Sequence, residues 1–236
     1  MFDGMTPPLA LGVATALVGA YLVGSVPWAY IIVRRVTGED VTAHGSGNVG
    51  AMNVRRTTGS WAWFAVAMLA DVVKGLVPVL VARIQAFGDV ITPTGRLLAD
   101  GALGPPSLVL VPMAAVAGVV LGHNYSLWMA LIKRRFSRTG KGLATGAGAL
   151  LAYDWRYFAV VLVVGLATIA ITRYMMAGQV VAAVALPVTA LVLRSPDWPF
   201  ALAIGVLVYS AHHRRFVGML RGREPKLYID DHGPRG

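Results

Sequence analysis

The chain has 236 residues, 56% hydrophobic and only 14% charged, and its apolar residues fall in long blocks rather than short alternating runs. A block of about 18 apolar residues is long enough to cross a bilayer as a helix, so the pattern excludes a soluble domain and predicts an integral membrane protein. The formal charge of +10 asks for an anionic partner, and the absence of cysteine excludes disulfides and thiolate metal sites.

In chain order, apolar blocks over 9–33, 61–82, 107–132, 157–172, 175–193 and 198–211 predict six spans. The first lacks the basic flank and cleavage site of a signal peptide and reads as a retained span. Residues 85–106, with Gly, Pro and both charge signs, read as the longest outer loop. A further block over 143–153 is short for a span, and the charge distribution decides for it. With seven spans and the N-terminus outside, sixteen of the 21 Lys and Arg residues fall on the inner side. Arg83, Arg96, Arg156 and Arg194 fall outside, and Lys74 lies within a span. Without the seventh span, Arg173 and the basic tail do not share a side with the loop over 133–141, against the preference of basic residues for the cytoplasmic face. The expected fold class is an all-α integral membrane protein of about seven transmembrane helices, with the N-terminus outside and the C-terminus cytoplasmic. It forms one polytopic domain over 1–236 with a short basic tail over 214–236. The basic residues thus sit where a membrane protein anchors its cytoplasmic face, which points to membrane lipids and anionic substrates and not to nucleic acid.

Three polar, glycine-bearing segments fall on that inner side: 44–56, 138–145 and 212–224. The first contains "GSGNVG" over 45–50, the dinucleotide fingerprint GxGxxG, with Asp71 about where the ribose acid belongs. That fingerprint needs a strand before it, a helix after it and a second strand carrying the acid. A loop between two membrane spans does not supply the strands, and Asp71 lies in the second span. The glycines instead leave backbone N–H groups open to an anion. Gly47 and Gly50 are the accessible amides, Ser46, Asn48 and Asn53 the neutral donors, and Arg56 the planar fork that grips phosphate oxygens in pairs.

In the second segment, Gly140, Lys141 and Gly142 precede an apolar helix and gather free N–H groups, the positive end of a dipole and an ammonium. It is not a phosphate loop of the GxxxxGK[ST] kind, since Arg135 and Gly142 stand where Gly and Ser or Thr belong. In the third, His212 ends the last span and Glu224 follows among arginines. A histidine there serves as a base, a phosphate ligand or a helix-end cation. Asp71 and Lys74, three residues apart, share one helical face and pair, either structurally or in support of a site. Neither GxSxG nor HExxH occurs, and Val49, Trp128 and Val217 stand five residues after His44, His123 and His212, where an acyltransferase of the His-x4-Asp type needs Asp. No cofactor and no metal site is expected. Any chemistry rests on binding and positioning phosphate.

These residues resemble a known family. Ser46, Gly47, Asn48, Gly50, Asn53, Arg56 and Gly59, then Asp71, Lys74 and Gly75, match in register the first motif of the bacterial membrane glycerol-3-phosphate acyltransferases that use acyl phosphate. Gly122 and His123 open a second motif that closes with Gly140, Lys141, Gly142 and Thr145, and His212 through Gly222 and Glu224 match a third. The resemblance implies seven spans in the bacterial inner membrane and an active face on the cytoplasm. It implies transfer of an acyl group from acyl phosphate to the 1-hydroxyl of glycerol 3-phosphate, giving lysophosphatidic acid and phosphate without a cofactor. It also implies that Ser46, Asn48 and Arg56 hold donor phosphate oxygens or stabilise the transition state, that Lys141 and its glycines bind glycerol 3-phosphate, that His212 orients the reacting groups, and that Glu224 is mainly structural. The chain departs from the pattern at Met52 (usually Thr), Ser126 (usually Pro), Thr139 (usually Gly), His213 (usually Arg) and Arg215 (usually Asn), and in a basic insertion around 133–138. These departures keep a second reading open, a relative that acylates another acceptor or partners another membrane protein in a lipid or envelope assembly.

Overall fold

A computed structural model describes residues 6–88, 106–223 and 226; most of the expected outer loop, Glu224 and nearly all of the tail beyond it lie outside the described residues. The described residues are helical, with no strand among them. Five helical segments are long and apolar enough to cross a membrane: Pro7–Val36, Trp61–Phe87, Leu110–Lys133, Trp155–Thr172 and Met175–Val192. Two shorter apolar helices, Leu143–Tyr153 and Trp198–Ser210, lie where the other two spans were expected. Large apolar side chains stand open on these helices, Ile171 at 83% and Val192 at 76% exposure. Such residues suit a surface whose solvent is lipid.

The chain divides into two compact units, Met1–Trp155 and Arg156–Gly236. The first holds α1 (Pro7–Gly24), α2 (Trp28–Val36), a 3-10 turn (Val41–Ala43), α3 (Ala51–Thr58), α4 (Trp61–Phe87), α5 (Leu110–Asn124), α6 (Leu127–Lys133) and α7 (Leu143–Tyr153). Two blocks expected as continuous spans are therefore broken helices. The block over 9–33 breaks at Ser25–Pro27, because Pro27 has no N–H and disfavours helical angles in the residue before it. The block over 107–132 breaks at Tyr125, and α6 restarts under Ser126, whose Oγ accepts the Met129 N–H at 3.1 Å.

The two breaks lie side by side. Ser126 Oγ donates to the Ser25 carbonyl (2.5 Å), Tyr21 OH to the Tyr125 carbonyl (2.8 Å) and Trp128 Nε1 to the Leu22 carbonyl (3.1 Å). Backbone groups freed by each break thus find partners inside the protein, as a bilayer requires. Close helix approach makes this possible: a Cβ at Gly118 or Gly122 of α5 would run into the carbonyls of Leu17 and Tyr21 of α1. Gly75 of α4 and Gly148 of α7 meet each other's helix in the same way, against the carbonyls of Thr145 and Val72.

Helix α4 runs past its expected end at 82 to Phe87. Arg83, expected just beyond the span, is buried within it, and its Nη1 donates to the carbonyls of Ala152 (2.8 Å) and Tyr153 (3.1 Å) at the end of α7. Val33, Val41, Val49, Val54 and Met129 form a core beside the loop over 44–50.

The second unit follows α8 (Trp155–Thr172) with α9 (Met175–Val192) and α10 (Trp198–Leu220). Tyr157 OH donates to Asp197 Oδ1 at 2.6 Å, tying the start of α8 to the turn before α10. Gly205 of α10 leaves room for the Ala183 carbonyl of α9, which would lie 2.7 Å from a Cβ there.

Candidate active site

The loop over 44–50 is wound around one buried amide. Asn53 Nδ2 lies 2.7 Å from the Val41 carbonyl, 3.0 Å from that of His44 and 3.1 Å from that of Asn48, while Oδ1 accepts the Ser46 N–H at 3.4 Å. Asn53, expected among the phosphate donors, thus has its amide turned into the loop. The consequence is outward: Ser46 and Gly47 are exposed, with Gly45 and Gly47 at the left-handed φ values of 52° and 68° that the tight turn needs. Helix α3 has Gly50 at its N-cap and no side-chain cap; the Asn53 N–H is bonded to the Gly50 carbonyl at 2.9 Å, and those of Ala51 and Met52 meet no capping side chain and suit an anion. Arg56 is exposed one turn on, and its Cδ would lie 3.1 Å from a Cβ at Gly45. Asn48 is partly buried, and Met52 is partly buried on α3.

Upstream, Asp40 Oδ1 accepts the N–H (2.9 Å) and hydroxyl (2.7 Å) of Thr42, and its Oδ2 pairs with Lys133 from the basic insertion. The insertion is therefore anchored to the entry of the first loop.

The second loop begins at Thr139. Gly140 lies flat against the His123 ring with no space for a Cβ, Lys141 is partly buried, and Gly142 (φ 74°) starts α7 without a side-chain cap. The two loops meet at the Val49 N–H, which donates to the Thr139 carbonyl at 2.8 Å. Since α3 begins two residues beyond Val49 and α7 four beyond Thr139, two uncapped helix N-termini open beside that bond. Ser46, Gly47, Asn48, Gly50 and Arg56 are in this way gathered with Gly140, Lys141 and Gly142.

Beneath them runs a buried polar chain. Lys74 Nζ lies 2.9 Å from Asp71 Oδ1 and donates to the Val26 carbonyl at 2.8 Å, at the break between α1 and α2. His123 Nδ1 lies 3.8 Å from Asp71 Oδ1 and 3.1 Å from Thr145 Oγ1. Thr145, expected with the phosphate binders, is fully buried on His123 and stands with this supporting group. The polar residues at the two breaks, Ser25, Asn124 and Ser126, carry part of this framework, though none belongs to the polar segments that the sequence marks as a site. Their signal in the sequence is the pair of turn-forming interruptions, Ser25 to Pro27 and Asn124 to Ser126, inside otherwise apolar blocks.

His212 lies in the second unit on α10, buried, with Nδ1 2.7 Å from the Val208 carbonyl. His213 beside it is exposed, with Nδ1 3.0 Å from the Ser210 carbonyl. Among the described residues no group of three or more His, Asp or Glu is arranged to hold a metal ion. What the gathered loops offer is backbone amides, a hydroxyl, a guanidinium and an ammonium. Such a set binds phosphate groups and stabilises negative charge that develops on them.

The model of the family described as "Glycerol-3-phosphate acyltransferase" matches residues 14–222. The chain is 38% identical over 210 residues to a glycerol-3-phosphate acyltransferase of Thermus thermophilus, covering 88% of this chain and 92% of that protein. To the protein of the same name in Desulforudis audaxviator it is 33% identical over 221 residues, covering 92% and 97%. Its fold is similar to the crystal structure of PlsY, an integral membrane glycerol 3-phosphate acyltransferase, in its glycerol 3-phosphate form, with a TM-score of 0.71, 26% identity and coverage of 92% and 96%. The lysophosphatidic acid form of PlsY gives a TM-score of 0.69 at 25% identity, covering 92% and 95%.

Proposed function

The chain belongs to the glycerol-3-phosphate acyltransferase family, and on that premise we propose that it moves an acyl group from acyl phosphate to the 1-hydroxyl of glycerol 3-phosphate. The products are lysophosphatidic acid and inorganic phosphate. The observation that carries the reading is the 2.8 Å bond from Val49 to Thr139, which brings the two glycine-rich polar loops together.

In this reading Ser46, Asn48, the open amides at the start of α3 and Arg56 take the phosphate of the donor. Lys141 with Gly140, Gly142 and the start of α7 takes the phosphate of the acceptor. The 1-hydroxyl oxygen attacks the acyl carbonyl carbon and forms the ester bond. The bond from that carbon to the donor's phosphate oxygen breaks, phosphate leaves with the electron pair, and the hydroxyl proton passes to a substrate phosphate oxygen. The protein's share is positioning and charge stabilisation rather than a protein nucleophile. His212 orients the reacting groups on the strength of its motif. The chain works as one polytopic domain of seven spans in the bacterial inner membrane, N-terminus outside and loops cytoplasmic, as its basic residues favour.

Detergent-solubilised protein given a long-chain acyl phosphate and glycerol 3-phosphate is expected to release phosphate and form lysophosphatidic acid, and not to do so with an acyl thioester. Ser46→Ala lowers the rate roughly 100-fold or more, the usual loss for one donor of this kind. Product no higher than in a no-enzyme control, or a Ser46→Ala protein equal to the unmodified one, sinks the proposal.

A further inference from the structure

One buried side chain holds the second loop and has no part in the acyl transfer described above. Thr139 bonds three separate parts of the first unit. Its N–H donates to the Asn124 carbonyl (2.8 Å), its hydroxyl donates to the His123 carbonyl (2.9 Å), the same oxygen accepts the Ser126 N–H (3.2 Å), and its own carbonyl accepts from Val49 (2.8 Å). His123 and Asn124 end α5, and Ser126 caps α6. The carbonyl and the N–H held by the hydroxyl are thus backbone groups that the break between α5 and α6 leaves without helical partners. Both residues are buried, His123 at 8% and Ser126 at 3% exposure, where water does not replace a missing partner. A hydroxyl, one donor and one acceptor on a single atom, answers both at once.

The geometry points to Thr139 as a positioning residue for the phosphate-bearing acceptor. Its hydroxyl pins the second loop to the α5–α6 break, so that Lys141 and the start of α7 stand at a fixed offset from the first loop. Ser126 is its partner through the backbone N–H, and the two positions act as a matched pair. The identity of the acceptor rests on the acyltransferase reading; the anchoring does not.

Thr139→Val keeps the branched shape and removes the hydroxyl, and Thr139→Ser keeps the hydroxyl. Ser126 has a φ of −68°, which a proline ring fits, so Ser126→Pro replaces the N–H with a ring methylene and also loses the hydroxyl that caps α6 and donates to the Ser25 carbonyl; Ser126→Ala loses that hydroxyl alone and is its reference. Glycerol 3-phosphate binding to the solubilised full chain is measured by calorimetry, beside kcat and both KM values. For Thr139→Val the Kd and KM for glycerol 3-phosphate rise roughly tenfold, as expected for orphaned buried backbone groups, with the donor KM unchanged. Thr139→Ser restores both. Ser126→Pro weakens binding relative to Ser126→Ala in the unmodified chain and adds nothing on the T139G background, where no side chain meets the ring methylene. Unchanged binding in Thr139→Val, an equal rise in the donor KM, no recovery with Ser, additive effects of the two positions, or no glycerol 3-phosphate binding by the unmodified chain overturns the proposal. Should Thr139→Val not fold, the comparison of Ser126→Pro with Ser126→Ala, made in the unmodified chain and on Thr139→Gly, decides. Binding that weakens as stated in a protein without turnover leaves the positioning role standing and removes the acyltransferase reading.

Discussion

Asn53 decides which atoms of the first loop face outward. Its amide gathers the carbonyls of Val41, His44 and Asn48, so the exposed hydroxyl of Ser46 and the open amides at the start of α3 are consequences of an inward-facing side chain. Asn53→Asp replaces that donor with a carboxylate facing three carbonyl oxygens. The expected outcome is loss of phosphate release together with a lower melting temperature in detergent, a cost of about 1–3 kcal/mol or more. Arg56 behaves differently, because it is exposed and carries no part of the core. Arg56→Lys keeps the charge and loses the planar fork, so kcat/KM falls at least roughly tenfold at an unchanged melting temperature. A matching fall in both quantities would place Arg56 in the fold rather than at the phosphate.

At the scale of elements, the site depends on helices that stop early. The first and third apolar blocks each break, and the freed backbone groups are taken up by Ser126, Lys74, Tyr21, Trp128 and Thr139. Lys74 is the costly member, a buried ammonium balanced by Asp71 at 2.9 Å. Asp71→Asn leaves that charge without its counter-ion and is expected to destabilise the protein by about 3–5 kcal/mol, read as lost folded yield and a lower melting temperature. Adding Lys74→Met on the same chain recovers part of the loss; no recovery would show that Asp71 acts through some other partner. The α4–α7 contact is equally strict. Gly148→Ala drives a methyl into the Val72 carbonyl and moves α7, so it is expected to lower stability and acceptor binding together.

At the scale of the molecule, the proposed topology is testable because the chain has no cysteine. Single cysteines in place of exposed Glu39 and exposed Pro196 give clean probes on two connecting segments. In sealed inside-out vesicles the Glu39→Cys protein reacts with an impermeant maleimide and the Pro196→Cys protein does not; in right-side-out spheroplasts the pattern reverses. Labelling of both from one side would put the two segments on the same face and end the seven-span arrangement. The lipid setting itself is visible in the open apolar side chains of α8 and α9, which water would not tolerate over such an area.

The sequence by itself determined the class and the chemistry. Block length set the membrane helices, since span length is fixed by bilayer thickness, and the density of glycine, amide and basic residues in 44–56 and 138–145 pointed to these loops as the proposed phosphate site. It also placed Asp71 and Lys74 on one helical face, because helical spacing is local. Only the tertiary structure decided which side chains face a ligand and which hold the loops. Asn53 and Thr145 carry the right groups for phosphate, yet their atoms are bonded to carbonyls and to His123. Thr139, a departure from the family pattern in sequence, joins the two loops. Residue type states what a group can bond; the partner is chosen by chain segments far apart in sequence, and here by the backbone groups that two broken helices leave open.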